Sequence, residues 1–133
     1  YSMMLRRLPA SHLRMLRHWI AFTEAHKPAL QLGAFRVPYP QLGVPFLVGE
    51  SAAERVIGVY CPDLAVDTGA ADRRVLVLNA TQRDTLTLRL PAKGRAVARD
   101  TFGREVGVQE FARGGLVDAK CPCSGYLEIT FSK

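Results

Sequence analysis

Three histidines, His12, His18 and His26, carry the side chains best suited to metal binding or acid–base catalysis. All three lie between residues 9 and 27, where the apolar residues recur with the period of a helix. At about 1.5 Å of rise per residue they are roughly 9 to 21 Å apart along the axis, too far to share a metal or a nucleophile. We therefore predict that they are surface or packing residues.

The acidic side chains offer no catalytic pair either. Acid–base hydrolysis of a glycosidic bond needs two carboxylates a few ångströms apart, whereas these fall singly on outward strand positions and in loops: Glu54, Glu128, Asp63, Asp67 and Asp72. No glycine-rich phosphate loop or nucleophile-elbow motif is present. The sequence predicts no catalytic, cofactor-binding or metal-binding residue.

Cys61, Cys121 and Cys123 give an odd count with no C-x-x-C spacing, so neither a disulfide framework nor a closed zinc site is expected. Cys121-Pro122-Cys123 resembles a metal or redox motif, but with Cys61 it supplies three thiolates at most. These are predicted to be incidental free thiols in a reducing, cytoplasmic compartment. Asn79-Ala80-Thr81 would be a glycosylation sequon only on a eukaryotic secretory route.

The net charge of +6 is concentrated near the start of the chain. Residues 1–36 hold six of the 18 basic residues and one of the 12 acidic residues, namely Arg6, Arg7, Arg14, Arg17, Lys27, Arg36 and Glu24. Either a solvated helix face or a phosphate-binding patch could explain this. The first is favoured because no nucleic-acid-binding motif accompanies the charge. We expect no nucleic-acid partner and, lacking a long apolar run, no membrane span.

Residues 9–27 form the one clear helical pattern, with Pro9 in the first turn and Pro28 after the last. The apolar side chains cover about half the circumference, wider than the roughly 100° stripe that packs on one sheet: Leu13, Met15, Leu16, Trp19, Ile20 and Phe22. Either this helix lies deep in its own core, or its second flank docks on structure outside a chain that begins at Tyr1. Self-association through the face around Trp19 is then expected.

After Pro28 the apolar period changes to two, with turn residues every eight to twelve positions. Hairpin turns are predicted at Phe102-Gly103 and Gly114-Gly115, a proline-rich connection spans Pro38 to Pro45, and residues 63–72 form a loop. Strands are predicted at 32–37, 55–60, 74–79, 85–90, 95–101, 104–110, 116–120 and 126–131. The fold class is mainly β, an antiparallel β-sandwich preceded by one N-terminal α-helix (residues 1–30 and 31–133).

Three strands define the expected core. The segment 74–79 has four consecutive apolar residues and is predicted to be covered on both faces. Leu86, Leu88 and Leu90 alternate with polar residues and should all face inward, as should Leu127, Ile129 and Phe131.

A sugar-binding module would need exposed aromatic side chains to stack on pyranose rings. Trp19 lies in the apolar arc of the helix, which leaves Tyr39, Tyr60 and Tyr126 as candidate platforms. Tyrosine in strands is commonly half-buried packing, so sugar contact by this domain alone is not the favoured interpretation.

The run LPASHLRMLRHWIAFTEAHKPALQLGAFRVPYPQL resembles the end of the catalytic barrel and the start of the next domain in the melibiase, or α-galactosidase, family of glycoside hydrolases. The matching positions are Leu8-Pro9, Trp19, Phe22, Lys27 and Gly33-Ala34-Phe35. The similarity continues through VIGVY, RVLVLNAT, DTLTLRL, DTFGREV and SGYLEITF, which are similar to successive strands of the C-terminal domain of that family.

This resemblance implies that residues 1–30 are the last helix of a (β/α)8 barrel and residues 31–133 the accessory sandwich packed against it. The parent enzyme would hydrolyse α-galactosides with two aspartates on barrel strands that precede Tyr1, so the chain itself is expected to be inactive. The alternative is a free-standing carbohydrate- or protein-binding sandwich, and a basic nucleic-acid-binding barrel is the third possibility.

Overall fold

The computed structural model describes residues 9–30, 35–36, 46–61 and 63–132. Helix α1 spans Ala10–Ala25, and a single further turn, α2, spans Lys27–Leu30. The predicted helix is confirmed, but Pro28 does not end the helical region. Proline is tolerated in a first turn, where its missing N–H has no intrahelical acceptor, so α2 can form around it. In the described part of the chain, neither helix is long and apolar enough to cross a membrane.

In the described residues, ten strands follow the helices and form two sheets. They are β1 (Phe35–Arg36), β2 (Phe46–Glu50), β3 (Glu54–Val59), β4 (Val66–Asp67), β5 (Arg74–Asn79), β6 (Thr85–Leu90), β7 (Gly94–Arg99), β8 (Glu105–Phe111), β9 (Gly115–Lys120) and β10 (Tyr126–Phe131). The seven-stranded sheet has the order β1-β2-β3-β5-β10-β7-β8, and the three-stranded sheet has the order β4-β6-β9. The predicted β-sandwich with an N-terminal helix is confirmed.

Most neighbouring strands are antiparallel, as predicted, but β3 pairs with β5 and β4 with β6 in parallel. Both parallel pairs have one cause. After β3 the chain crosses to the other sheet to form β4 and then returns as β5, so it re-enters the first sheet in the same direction. Arg55 closes this crossover, because its guanidinium donates to the Thr68 carbonyl oxygen at 2.8 Å.

The main core lies between the two sheets. Leu86, Leu88 and Leu90 of β6 are buried there against Leu127 and Ile129 of β10. The inward orientation predicted for these five side chains is confirmed, and Phe131 packs half-buried at the margin. Strand β5 is covered on both faces, as predicted, since Val75 and Val77 enter this core and Leu76 lies under the helices.

The helices form a third layer on the outer face of the seven-stranded sheet. Phe22 of α1 and Ala29 of α2 are buried against Val56, Leu76 and Tyr126. The predicted apolar arc is therefore only partly buried. His18, which was placed on the polar half, faces the sheet, whereas Ile20, which was placed in the arc, is exposed.

Some local predictions were wrong, others fall partly outside the described residues, and one hairpin turn is confirmed. Strands β2 and β4 were not expected, and part of the predicted strand 32–37, with the connection from Pro38 to Pro45, lies outside the described residues. The glycine pair at 114–115 does not close a hairpin, because β8 and β9 belong to different sheets. The turn at Phe102-Gly103 does join a hairpin, and Gly103 adopts a φ of 82° that favours glycine.

Candidate functional site

Helix α1 is attached to the sheet by a cluster of rings that we call the aromatic lock. Its members are His18, Trp19, Phe22, His26 and Tyr126. Phe22 and Trp19 meet Tyr126 edge to face, with ring centroids 5.0 and 5.6 Å apart. His18 stacks on the same ring at 5.7 Å. Tyr126, at the start of β10, is thus the anchor for the whole helix.

The polar atoms of the lock are also satisfied. The Trp19 Nε1–H donates to Thr101 Oγ1 at 3.2 Å, and the Tyr126 hydroxyl lies 3.2 Å from His18 Nε2. Burial raises the pKa of the Tyr126 hydroxyl, and the nearby Glu128 raises it further. A tyrosine held protonated in this way is a packing and hydrogen-bonding residue, not a ready proton acceptor.

Burial also lowers the pKa of His18; the charge of Asp100 opposes this shift and that of Arg99 adds to it. The neutral imidazole is therefore the form that suits the docked helix. Its stabilising contribution is complete above the ordinary histidine pKa and is lost as the pH falls through the lowered folded value.

We expect the protein to lose stability between about pH 7 and pH 5, and a His18→Gln variant to lose less of it over the same range. His26 remains in both proteins, so the difference between their urea midpoints isolates His18. If the urea midpoints of His18→Gln and of the wild type fell in parallel with pH, this prediction would be contradicted.

The turn beside the lock is built around Asp100. Partial burial opposes ionisation of this carboxyl, but hydrogen bonds from the Arg104 and Phe102 backbone N–H groups and from the Arg104 side chain outweigh it and lower its pKa. Arg104 also lies over the Phe102 ring, 5.0 Å from its centroid. Asp100 is thus a structural anion that shapes the β7–β8 turn.

A row of charged side chains continues from the lock across four adjacent strands. Glu54 on β3 has Oε1 at 2.6 Å from His26 Nδ1, and its Oε2 accepts a bond from Arg74 on β5 at 2.9 Å. The same arginine reaches Glu128 on β10 at 3.7 Å, and Glu128 accepts a hydrogen bond from Arg99 on β7. We call this row the charge ladder.

The charge ladder changes how the carboxylates must be interpreted. Glu54 and Glu128 were predicted to be separate outward residues, but Glu54 is buried beneath the end of α1. Each carboxylate is neutralised by an arginine, and Arg74 stands between the two. That arrangement suits cross-strand stabilisation. It does not suit acid–base catalysis, because a general acid and its partner base need open access to substrate. Asp63 and Asp72 are exposed in loops, as predicted, whereas Asp67 is exposed but belongs to β4.

The Asn79 side chain holds the turn that contains two of the cysteines. Its Nδ2 donates to the carbonyl oxygens of Arg83 and Cys121 at 2.8 and 2.9 Å, and its Oδ1 accepts from the Thr81 N–H and hydroxyl. Because this amide is buried and fully engaged, it cannot serve as a glycan acceptor in the folded protein. No sequence motif signals this role.

The cysteines are free thiols in separate environments. Burial raises the pKa of the Cys121 thiol to about 12, so it is unreactive at neutral pH. Cys123 is exposed, and its thiol donates to the Thr81 carbonyl oxygen. Among the described residues, no group of three or more histidine, cysteine or acidic side chains is arranged to hold a metal ion.

Among the described residues, one of the predicted sugar platforms remains exposed. Tyr126 and Trp19 belong to the aromatic lock, and Tyr39 lies outside the described residues. Tyr60, at the end of β3, is 43% exposed. One isolated ring gives a sugar little to stack on.

The side of α1 that faces away from the sheet keeps an apolar stripe. Ile20 is 66% exposed, and Leu16 and Leu13, one and two turns before it, are half-buried. Their spacing puts them on one face, which the aromatic lock does not use. Trp19 packs inward, so Ile20 is the residue that this face presents to a partner.

Comparison with known proteins adds no relative: no protein-family model, curated protein or solved structure matches this chain.

Proposed function

We propose that this chain is a non-catalytic accessory domain of an α-galactosidase-like glycoside hydrolase, and that α1 is the element through which the sandwich joins the catalytic barrel. The observation that carries the proposal is the two-sided helix. One side is locked to the sheet through Tyr126, and the other presents Ile20 with Leu13 and Leu16 beside it. A helix that packs only on its own sheet requires a single apolar stripe, so the second stripe indicates a second packing surface.

The chemistry of the described residues supports a structural role. The buried carboxylate is neutralised, the tyrosine of the lock is held protonated, and Asp100 shapes a turn. The order of the sequence motifs supports the choice of family. The free thiols suit a reducing, cytoplasmic compartment.

The direct test is the protein encoded by the reading frame upstream of Tyr1. The proposal expects a barrel-length stretch of alternating strands and helices that contains the catalytic aspartates. The present chain alone should not turn over an aryl α-galactoside. A native start codon immediately before Tyr1, or turnover by the pure chain, would overturn it.

Ile20→Glu gives a second, structural test. In the chain alone this exposed change should alter the free energy of unfolding by less than about 0.5 kcal/mol. In the longer protein it should cost about 2 kcal/mol, because it removes buried apolar area and buries a charge. Ala21→Glu, on the neighbouring exposed position, is the matched control and should be mild in both. Equal effects of the two variants in the longer protein would argue against docking through this stripe.

The alternative function is a free-standing binding module. Its carbohydrate version rests on Tyr60 alone among the described aromatic residues. Titration with galactose and with α-galactosides, monitored by tyrosine fluorescence, distinguishes the two functions, because an accessory domain should give no saturable signal. A Tyr60-dependent signal would favour the module.

A further inference from the structure

Arginine side chains lie beside the exposed apolar stripe of α1. Arg17 is one turn from both Leu13 and Ile20, and Arg14 is one turn before Arg17, so the two arginines form a row along the helix. Both are exposed, and among the described residues neither side chain makes a hydrogen bond or an ion pair. The surface of α1 that the sheet leaves uncovered is therefore apolar along one line and basic along the next.

Arg14 also lines a notch between α1 and the β7–β8 turn. The notch has a volume of about 170 Å³, and its other walls are Phe102 and Arg104. The Arg104 side chain is 72% exposed. Within the described residues, its one hydrogen bond runs from Nε to Asp100 at 2.9 Å. Because a guanidinium has five N–H donors, four of them are left for another acceptor.

The walls of the notch are held in fixed positions relative to one another. The Arg104 guanidinium lies over the Phe102 ring, with its Cζ atom 5.0 Å from the ring centroid. On the helix side, the His18 ring packs so closely on Gly103 that an added Cβ there would lie 2.4 Å from it. A partner group would therefore enter a preformed site and lose little conformational freedom in the protein on binding.

The charges around the notch favour an acidic partner. In residues 10–20 and 100–104 together, three arginines (Arg14, Arg17 and Arg104) are opposed by one carboxylate, that of Asp100. Asp100 is already engaged, because its Oδ1 accepts from the backbone N–H groups of residues 102 and 104 and its Oδ2 from the Arg104 side chain. A second carboxylate, whose two oxygens match the donors of a guanidinium, would complete the site.

We propose that the protein surface that covers the apolar stripe of α1 is acidic, and that it places a carboxylate in the notch between Arg14 and Arg104. The inference rests on the proposed function for the identity of that surface, which belongs to the catalytic barrel. A free anion would explain the notch but not the apolar stripe beside Arg17. A protein surface that carries a carboxylate next to an apolar patch fits both features.

The test is amide hydrogen exchange of α1 in the longer protein, where a docked helix is protected. Arg14→Glu should speed this exchange at least about tenfold, because a charge-assisted hydrogen bond is replaced by repulsion between carboxylates. Arg113→Glu is the matched control, a charge reversal at an exposed arginine in the β8–β9 loop, and should leave the exchange unchanged. In the chain alone, both variants should exchange as the wild type does.

Equal exchange of α1 in the Arg14→Glu and Arg113→Glu variants of the longer protein would overturn this proposal alone. Docking through Ile20 would still stand on its own test. A free-anion site would also overturn it. Its sign would be a higher unfolding temperature of the chain alone in sodium phosphate than in sodium chloride of equal ionic strength, with the difference lost in Arg14→Glu. The absence of an upstream barrel would overturn both proposals, so the two failures are distinguishable.

Discussion

Replacing Asn79 by alanine is expected to lower the free energy of unfolding by about 2 to 4 kcal/mol. The buried amide donates to the carbonyl oxygens of Arg83 and Cys121 and accepts from Thr81. Alanine would remove the Asn79 partner of the Cys121 carbonyl oxygen and of the Thr81 hydroxyl, whose residues are both buried, and the cost of an unmade buried hydrogen bond exceeds the gain from a made one. Urea denaturation monitored by circular dichroism measures the loss.

Gln82→Ala is the control for this experiment. Gln82 is exposed in the turn between β5 and β6, next to Arg83, to which the Asn79 amide donates. It should change the free energy of unfolding by less than about 0.5 kcal/mol. If Asn79→Ala were equally mild, the amide would not hold the turn, and the end of β5 would have to be stabilised by backbone bonds alone.

Removing the Tyr126 side chain should be at least as damaging. Tyr126→Ala deletes the ring on which His18, Trp19 and Phe22 pack, and a large-to-small change of this kind costs about 3 to 5 kcal/mol. The loss of stability should appear first as detachment of α1 from the sheet. We therefore expect reduced helical circular dichroism and increased exposure of Trp19 in fluorescence below the main unfolding transition.

Tyr126→Phe distinguishes the contribution of the aromatic ring from that of its hydroxyl. It keeps the aromatic packing and removes only the contact with His18 Nε2, so it should cost about 0.5 to 1.5 kcal/mol. Similar losses for the two variants would mean that the hydrogen bond, rather than the stack of rings, attaches the helix.

The period of the apolar residues was sufficient to place and orient an element wherever one of its faces is uniformly apolar. It placed β5, β6 and β10 at their observed bounds and oriented Leu86, Leu88 and Leu90. It placed α1 but not its buried face, because His18 and the following His26 pack against the sheet. A hydrophobicity pattern counts histidine as polar, although a neutral imidazole can stack on a tyrosine ring.

The pairing of strands was beyond what local patterns can show. Strands β2 and β4 are short or follow prolines, and the crossover that makes β3 and β5 parallel depends on a contact between Arg55 and the Thr68 carbonyl. The charge ladder could not be predicted for the same reason, because it joins residues that are distant in sequence. Glu54 is covered by His26 at the end of the first helix, and nothing within β3 indicates that cover.

The position of β10 has a consequence for how the protein is made. Tyr126–Phe131 lies between β5 and β7, so two halves of the large sheet stay apart until these residues are synthesised. A ribosome-bound chain that stops at β9 would present two bare inner edges and would lack Tyr126, one of the residues against which Phe22 packs. Such nascent chains are targets for chaperones, and closure should be slow because it joins segments distant in sequence.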